Sequence, residues 1–502
     1  MEMKIIAFFC IFSLIPIMVY ALPIPKEGLL IPKYQADEIR SKVIGLGDHP
    51  MMKKVKDRAE KAILQWTKDK PEIEKHVDKL LDVWWESNPK EYVPEDVISV
   101  AKLLDDAMDN TPSMAFIYFL TGDSKYADAC YEIIEMAGHV PRWGWFNWDG
   151  ANMPQIHYGM LTRNIAVTID WCWDGWNGQQ RKKAIEIIAE KGVESYWRLV
   201  NHTPFMGYHH LRSKNQGNNA LSAAIMASLV VGEDIPENKV WLETLIGSFS
   251  WILTCDIGYA GQNLESGLPG YWSVSMQNLY TTASALYNAK GIDFRTHIGF
   301  TEATYYPLYH EATVPPTEEG KPIEKMEGSS SLIGSKPIKL PHKYGGSSWW
   351  FDYAKNFPDS LAGYFVSKIW DTNIEEAHQA GLSDPLMVLW VALAEKPDKI
   401  NYPKALFGTT DRMAMFRSGY GSPHTYLYFN GDIFLSSRNE ILCATSGLSW
   451  HFPWHQYAIA ESVIETEGKR FSPSMLIYGY YDRDFVSMIQ SKSWTSNVTY
   501  YK

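Results

Sequence analysis

Asp174-Gly-Trp-Asn-Gly178, running into Gln179-Gln-Arg-Lys-Lys-Ala-Ile-Glu-Ile-Ile-Ala-Glu-Lys-Gly-Val-Glu-Ser-Tyr-Trp-Arg-Leu199, decides how most of this chain folds. The turn-rich first part closes one helix before Gln179 opens the next. In the second part Ile185, Ala189, Val193 and Trp197 recur every four residues, the spacing of one helix face. The same three- and four-residue spacing predicts helices over 55–68, 95–106, 113–121, 125–137, 219–231, 239–254, 272–288 and 385–394. Alternating helices over so long a stretch point to one toroid or solenoid of helical hairpins, in which stacked pairs share a core.

Two stretches depart from this pattern. Residues 314–346 are rich in Pro, Gly and Ser and read as a long loop inserted in the helical domain. After about Pro403 the period changes to two, with strands expected over 413–419, 424–430 and 462–467. The chain stops at Val498-Thr-Tyr-Tyr-Lys502, within what reads as a strand, so the β domain is expected to be partial. The expected organisation is a leader over 1–21, a helical domain over 22–402 and a partial β domain over 403–502.

The chain has 502 residues and a formal net charge of −11, from 47 Lys and Arg against 58 Asp and Glu. Hydrophobic residues at 46% and charged residues at 21% exclude global disorder. An acidic balance argues against a general nucleic-acid binder. It leaves room for a basic groove that holds a polyanion. Twenty Trp, 29 Tyr and 20 Phe suit either a large core or the faces of sugar rings.

Lys4, the apolar run 5–20 and the small Ala21 before Leu22 read as a secretion signal. That run is short for a membrane span and is interrupted by Pro16. The protein is therefore expected to be secreted, extracellular or periplasmic, with no membrane partner after cleavage. Cys130, Cys172, Cys255 and Cys443 would remain, without a CxxC, and three pairings stay open. Asn201-His-Thr203 and Asn497-Val-Thr499 are glycosylation sequons in a eukaryotic host.

Three clusters could carry chemistry. His209-His-Leu-Arg-Ser-Lys-Asn-Gln-Gly-Asn-Asn219 leads into an apolar helix. Asn218 or Asn219 suits its N-cap, but capping leaves Asn215, Gln216 and His210 unexplained. Amides at a helix N-terminus make a receptor for a carboxylate. Asp256-Ile-Gly-Tyr-Ala-Gly-Gln-Asn-Leu-Glu-Ser-Gly-Leu-Pro-Gly-Tyr-Trp272 sets Glu265 and Tyr271 about a glycine-rich bend, where backbone approaches ligand closely. Ser449-Trp-His-Phe-Pro-Trp-His-Gln-Tyr457 carries His451 and His455, and Pro453 excludes a helical metal pair there. GxSxG, Walker, HExxH and GxGxxG motifs are absent.

Taken in order, these clusters resemble the heparinase II/III-type polysaccharide lyases, a superfamily related to alginate lyases and to glycosaminoglycan uronyl epimerases. The most specific pieces are Leu264-Glu-Ser-Gly-Leu-Pro-Gly-Tyr-Trp272 and Met415-Phe-Arg-Ser-Gly-Tyr420, and the likeness covers residues 100–480 apart from the inserted loop. The resemblance implies an α+β multidomain protein, an incomplete (α/α) toroid followed by an antiparallel β-sandwich, with substrate in the cleft between. It implies β-elimination: removal of the C5 proton of a uronic acid and expulsion of the 4-linked sugar. That step needs donors aimed at the carboxylate, where negative charge develops, and a base for the C5 proton. By similarity Tyr271 is the catalytic tyrosine, Asn215 and Gln216 the carboxylate-neutralising pair and His455 the histidine of the β domain. Asn219, His210, Glu265, Trp272, His451 and Arg417 are the expected substrate contacts.

Many members have Asn-His where this chain has Asn215-Gln216, and Gln donates a hydrogen bond but cannot serve as base. Arg163, Arg212, Lys214 and Arg417 suit carboxylate or sulfate groups. Arg is sparse near the motifs, which favours an unsulfated uronate polymer such as alginate or a lightly sulfated glycosaminoglycan. The expected partner is an anionic polysaccharide, with no nucleic acid. No cofactor is expected, and no ligand set for a structural metal is evident. The rival readings are a uronyl C5-epimerase, a toroidal glycoside hydrolase using two carboxylates, and an inactive carbohydrate-binding homologue.

Overall fold

The computed structural model describes residues 28–45, 50–83, 95–140, 145–148, 151–154, 156–202, 215–255, 271–297 and 349–357, single positions near these, and strands between 405 and 501. Its helices are α1 (Ala36–Gly45), α2 (Pro50–Val83), α3 (Glu95–Thr121), α4 (Ser124–Gly138), α5 (Ile156–Cys172), α6 (Gly178–Ile188), α7 (Ser195–His202), α8 (Asn215–Val231), α9 (Asn238–Cys255), α10 (Tyr271–Lys290) and α11 (Trp349–Asn356). A hairpin of β1 (Trp145–Trp148) and β2 (Ala151–Pro154) precedes α5.

Local chemistry sets the helix ends. Asn177 caps α6: its side chain accepts the Gln179 and Gln180 N–H groups, and Gln180 accepts the Asn177 N–H at 2.9 Å. Gly232 and Gly291 stop α8 and α10 in the left-handed region (φ 59° and 69°), donating to Ser228 O at 3.0 Å and Tyr287 O at 2.8 Å. Asn238, buried behind α8, donates to Ser228 O and Gly232 O at 2.8 Å each and fixes the turn into α9.

In α3 the sequence pattern reads two helices, yet the structure runs continuously through Pro112. Pro112 cannot donate to Met108 O. The hydroxyl of the preceding Thr111 bonds that carbonyl at 2.9 Å instead, which keeps the break from ending the helix. The expected helix over 179–199 is divided by a π-helical turn, Ala189–Glu194.

Packing is in two layers. Helices α2, α3, α5, α8 and α10 each touch the next in that order, and α4, α6, the π turn and α9 lie along their backs. Paired contacts show that four of the front helices, α3, α5, α8 and α10, run parallel. Between α3 and α5, Asp105 meets His157, Asp109 meets Asn164, Thr111 meets Thr168 and Phe116 meets Trp171, with numbers rising together. Between α5 and α8, Gly159 lies against Asn219, and Asp170 shares a cavity wall with Leu229. Between α8 and α10, Thr282 donates to Ser222 O at 3.4 Å, and Val230 shares that wall with Lys290. All four helices therefore begin at one end of the molecule and finish at the other.

The described core runs from Leu29 to Leu389 and includes fully buried Phe116, Tyr158, Phe249, Tyr280, Phe300 and Trp349. Burying each such side chain contributes about 1.5–3 kcal/mol.

The toroid-plus-sandwich expectation is corrected here. Residues whose packing is described are 87% helical and include no strand, so a β-sandwich is not supported. The strands after 400 fall into separate sheets. Ala405–Gly408, Met413–Arg417, Thr425–Phe429, Ile433–Ser437 and Glu440–Cys443 form one antiparallel meander in sequence order. Leu476–Asp482, Phe485–Gln490 and Tyr500–Tyr501 form another sheet. Period-two alternation specifies a strand and its hydrogen-bonded neighbours. It does not specify a second sheet facing the first across a shared core, which is what a sandwich requires.

Candidate functional site

Of the residues singled out from sequence, Asn215 and Gln216 open α8, and Tyr271 and Trp272 open α10. Because α8 and α10 are parallel neighbours, these two separated stretches begin at the same end of the helical array. Asn218 and Asn219 lie inside the first turns of α8 rather than at its cap, which corrects the capping expectation. Arg417 is the last residue of the strand Met413–Arg417. His210, Glu265, His451 and His455, with Arg212, Lys214 and the 314–346 loop, lie outside the described residues.

Below these helix starts lies a polar seam. On α8, Asn215, Asn218, Asn219 and Ser222 follow helical spacing, and on α10 so do Tyr271, Ser275, Asn278 and Thr282. Of these, Asn218, Asn219 and Ser222 are each 1% exposed, Ser275 and Thr282 are 0% and Asn278 is 3%. Polar atoms so deeply buried are nearly always hydrogen-bonded. Both amide atoms of Asn218, and the hydroxyls of Ser222 and Ser275, nevertheless have no partner among the described residues. Unmet polar capacity of this kind is what a bound water or a ligand hydroxyl satisfies.

Arg163, on the α5 side of α8, donates from Nη1 to Asn278 Oδ1 at 2.6 Å, reaching the helix on the other side. Gly159, one turn earlier on α5, lets that helix approach α8 closely: a Cβ there would lie 2.6 Å from Asn219 Cγ. The parallel helices also turn their positive dipole ends the same way, each equivalent to about +0.5 charge. Neutral amides, hydroxyls, a guanidinium and several helix N-termini together suit a ligand rich in hydroxyls and carrying a carboxylate.

The neighbouring α3–α5 contact holds ionisable groups. His157 Nε2 lies 3.3 Å from Asp105 Oδ2, and the hydrogen bond to that carboxylate raises the imidazole pKa above its ordinary range. Arg58 pairs with Asp109 at 3.1 Å, and Asn164 donates to the other Asp109 oxygen at 3.1 Å. Among the described residues no group of three His, Cys, Asp or Glu side chains could hold a metal ion.

Two cavities open at the opposite end, where the helices finish. One of about 370 Å³ is lined by Lys33, Arg40, Tyr118, Asp170 and Asp174, among others. Asp170 also lines the second, of about 150 Å³. Its carboxylate accepts the Leu29 N–H at 3.0 Å, and Asn288 donates to Leu29 O at 3.2 Å, so this end is where the N-terminal segment is anchored. None of the residues expected for the lyase reaction lies there, whereas Asp174, a candidate carboxylate for the glycoside-hydrolase reading, does.

Sequence reasoning noted Arg163 as a loose cation and missed Ser222, Ser275 and Asn278. The signal was available: Tyr271, Ser275, Asn278 and Thr282 stand four, three and four residues apart, a polar line along one helix face. No helix among the described residues is long and apolar enough to cross a membrane. No protein-family model matches the sequence, and no curated protein matches it.

Proposed function

We propose that the chain is an exported polysaccharide lyase that cleaves a uronic-acid-containing polymer by β-elimination. The observation that supports this reading best is that the Asn215-Gln216 and Tyr271-Trp272 stretches start adjacent parallel helices above one buried polar seam. A lyase needs this combination, because charge develops on the uronate carboxyl group as the C5 proton leaves. In the proposed reaction Asn215 and Gln216 donate to that carboxylate, with two aligned helix N-termini adding positive potential. Tyr271 takes the C5 proton or returns one to the departing O4, and His455 shares the acid–base work. Trp272 offers a flat apolar face to a sugar ring. Gln216 donates without titrating, so the proton traffic falls to Tyr271 and a histidine.

The test is the ultraviolet absorbance of the conjugated unsaturated uronate, followed against alginate, heparan sulfate, hyaluronan, chondroitin and dermatan sulfate. A rise on one polymer supports the reading, and it must fall by orders of magnitude in Tyr271→Phe while binding survives. A flat trace with solvent deuterium entering the polymer would replace it with an epimerase. A flat trace without exchange would remove catalysis altogether.

A further inference from the structure

The larger cavity, of about 370 Å³, lies where α3 and α5 finish, at Thr121 and Cys172. That volume falls within the range of small-molecule sites. The N-terminal segment closes one side at Gly28, where φ is 81° and an added Cβ would lie 1.9 Å from Ile31 O. The polar groups of the wall are only partly engaged. Arg40 is committed, since its Nε donates to Phe119 O at 2.9 Å and Asp37 pairs with its guanidinium. Asp170 accepts the Leu29 N–H on Oδ2, and among the described residues its Oδ1 has no hydrogen bond. Among the same residues the Lys33 ammonium, the Asp174 carboxylate and the Tyr118 hydroxyl have no hydrogen-bond partner either. Trp171 also lines the cavity, and its Nε1–H is buried without a partner among them.

These groups fit hydroxyls. Asp170 and Asp174 accept, Lys33 donates and the Tyr118 hydroxyl does either, while a sugar hydroxyl both donates and accepts. The rings of Tyr118 and Trp171 supply flat apolar faces for the C–H side of a pyranose. Charge selects further. Helices α3 and α5 turn their negative ends to this cavity, each equivalent to about −0.5 charge, and Asp170 and Asp174 add to them. Against these stands the Lys33 ammonium, Arg40 being matched by Asp37. A sugar bearing a carboxylate is repelled here and a neutral one is not. We propose that this cavity binds a small neutral saccharide, at the opposite end of the helical array from the proposed reaction. Helix direction then divides the chemistry, the N-termini favouring an anionic unit and the C-termini a neutral one. Binding here does not depend on lyase chemistry at the other end.

The experiment is titration calorimetry of the full chain with glucose, galactose, mannose and cellobiose, and with glucuronate as the charged counterpart of glucose. Saturable binding of at least one neutral saccharide is expected, with glucuronate weaker by about tenfold or more. Asp174→Asn, at an exposed position, and Tyr118→Phe, which keeps the ring, should each weaken that saccharide about tenfold. Circular dichroism matching the parent establishes that both variants are folded before they are titrated. Tyr271→Phe should leave the affinity unchanged, since Tyr271 opens α10 at the far end. Absence of saturable binding by every neutral saccharide would overturn the proposal. So would glucuronate binding as tightly as the neutral sugars, or an affinity that neither cavity substitution alters.

Discussion

Asn218 carries more of the functional argument than any residue with a recognisable motif. An amide that is 1% exposed and has neither atom bonded among the described residues costs about 1–3 kcal/mol, so its retention needs a reason outside stability. A ligand or ordered water that completes its bonds supplies that reason. Asn218→Leu, which keeps the branched four-atom skeleton, should leave thermal stability unchanged or higher while turnover in the proposed reaction collapses, the usual signature of a site maintained against stability. Loss of more than about 2 kcal/mol in a denaturant titration would show instead that the amide is fully bonded in the native protein. His157 illustrates the opposite case. Its imidazole is already engaged by Asp105, half exposed and accounted for by α3–α5 packing, so it adds nothing to the proposed chemistry.

Helix contacts explain which sequence signals were readable. The four-residue recurrences in α4, α6 and α9 mark helices with one buried face, and sequence alone locates them well. Helix α5 escaped because it is buried nearly all round, so its apolar residues carry little period. Helix α3 was divided because Pro112 and the acidic stretch around Asp105 and Asp109 look like a boundary, whereas Thr111 repairs the lost backbone bond. The common direction of α3, α5, α8 and α10 could not be read from sequence at all, since it depends on which helices become neighbours. Gly159 enforces the closest of those contacts. A Cβ added there would meet Asn219 Cγ at 2.6 Å and its carbonyl carbon at 2.8 Å, and backbone cannot yield cheaply. Gly159→Ala should cost about 1–3 kcal/mol, seen as a lowered Tm, and should reduce turnover further by shifting the first turns of α8. Unchanged Tm and turnover would mean that the two helices part without consequence.

Across the molecule, the ends of the parallel helices have different tasks, one gathering unmet polar groups and the other anchoring the N-terminal segment on Asp170. Burial pushes the Asp170 carboxyl up to about 6, against the Leu29 N–H and Lys33, which favour its charged form. A carboxyl raised in the folded state holds its proton where the unfolded chain has released it. Its contribution is therefore most favourable below about pH 4 and declines by about 3 kcal/mol as pH rises through 6. Asp170→Asn keeps an acceptor for Leu29 and removes the charge. The variant should gain stability over the parent at about pH 7.5 and little at about pH 4, read from urea unfolding at both. A difference independent of pH would mean that water reaches the carboxylate freely. The proposed chemistry lies at the end where α8 and α10 begin, and it is tested by ultraviolet detection of unsaturated uronate released by the parent and by Tyr271→Phe. The expected result is product from the parent on one uronate polymer and a loss of several orders of magnitude in the variant, with polymer binding retained. Equal rates from the two proteins, or no unsaturated product from any uronate polymer, would contradict it.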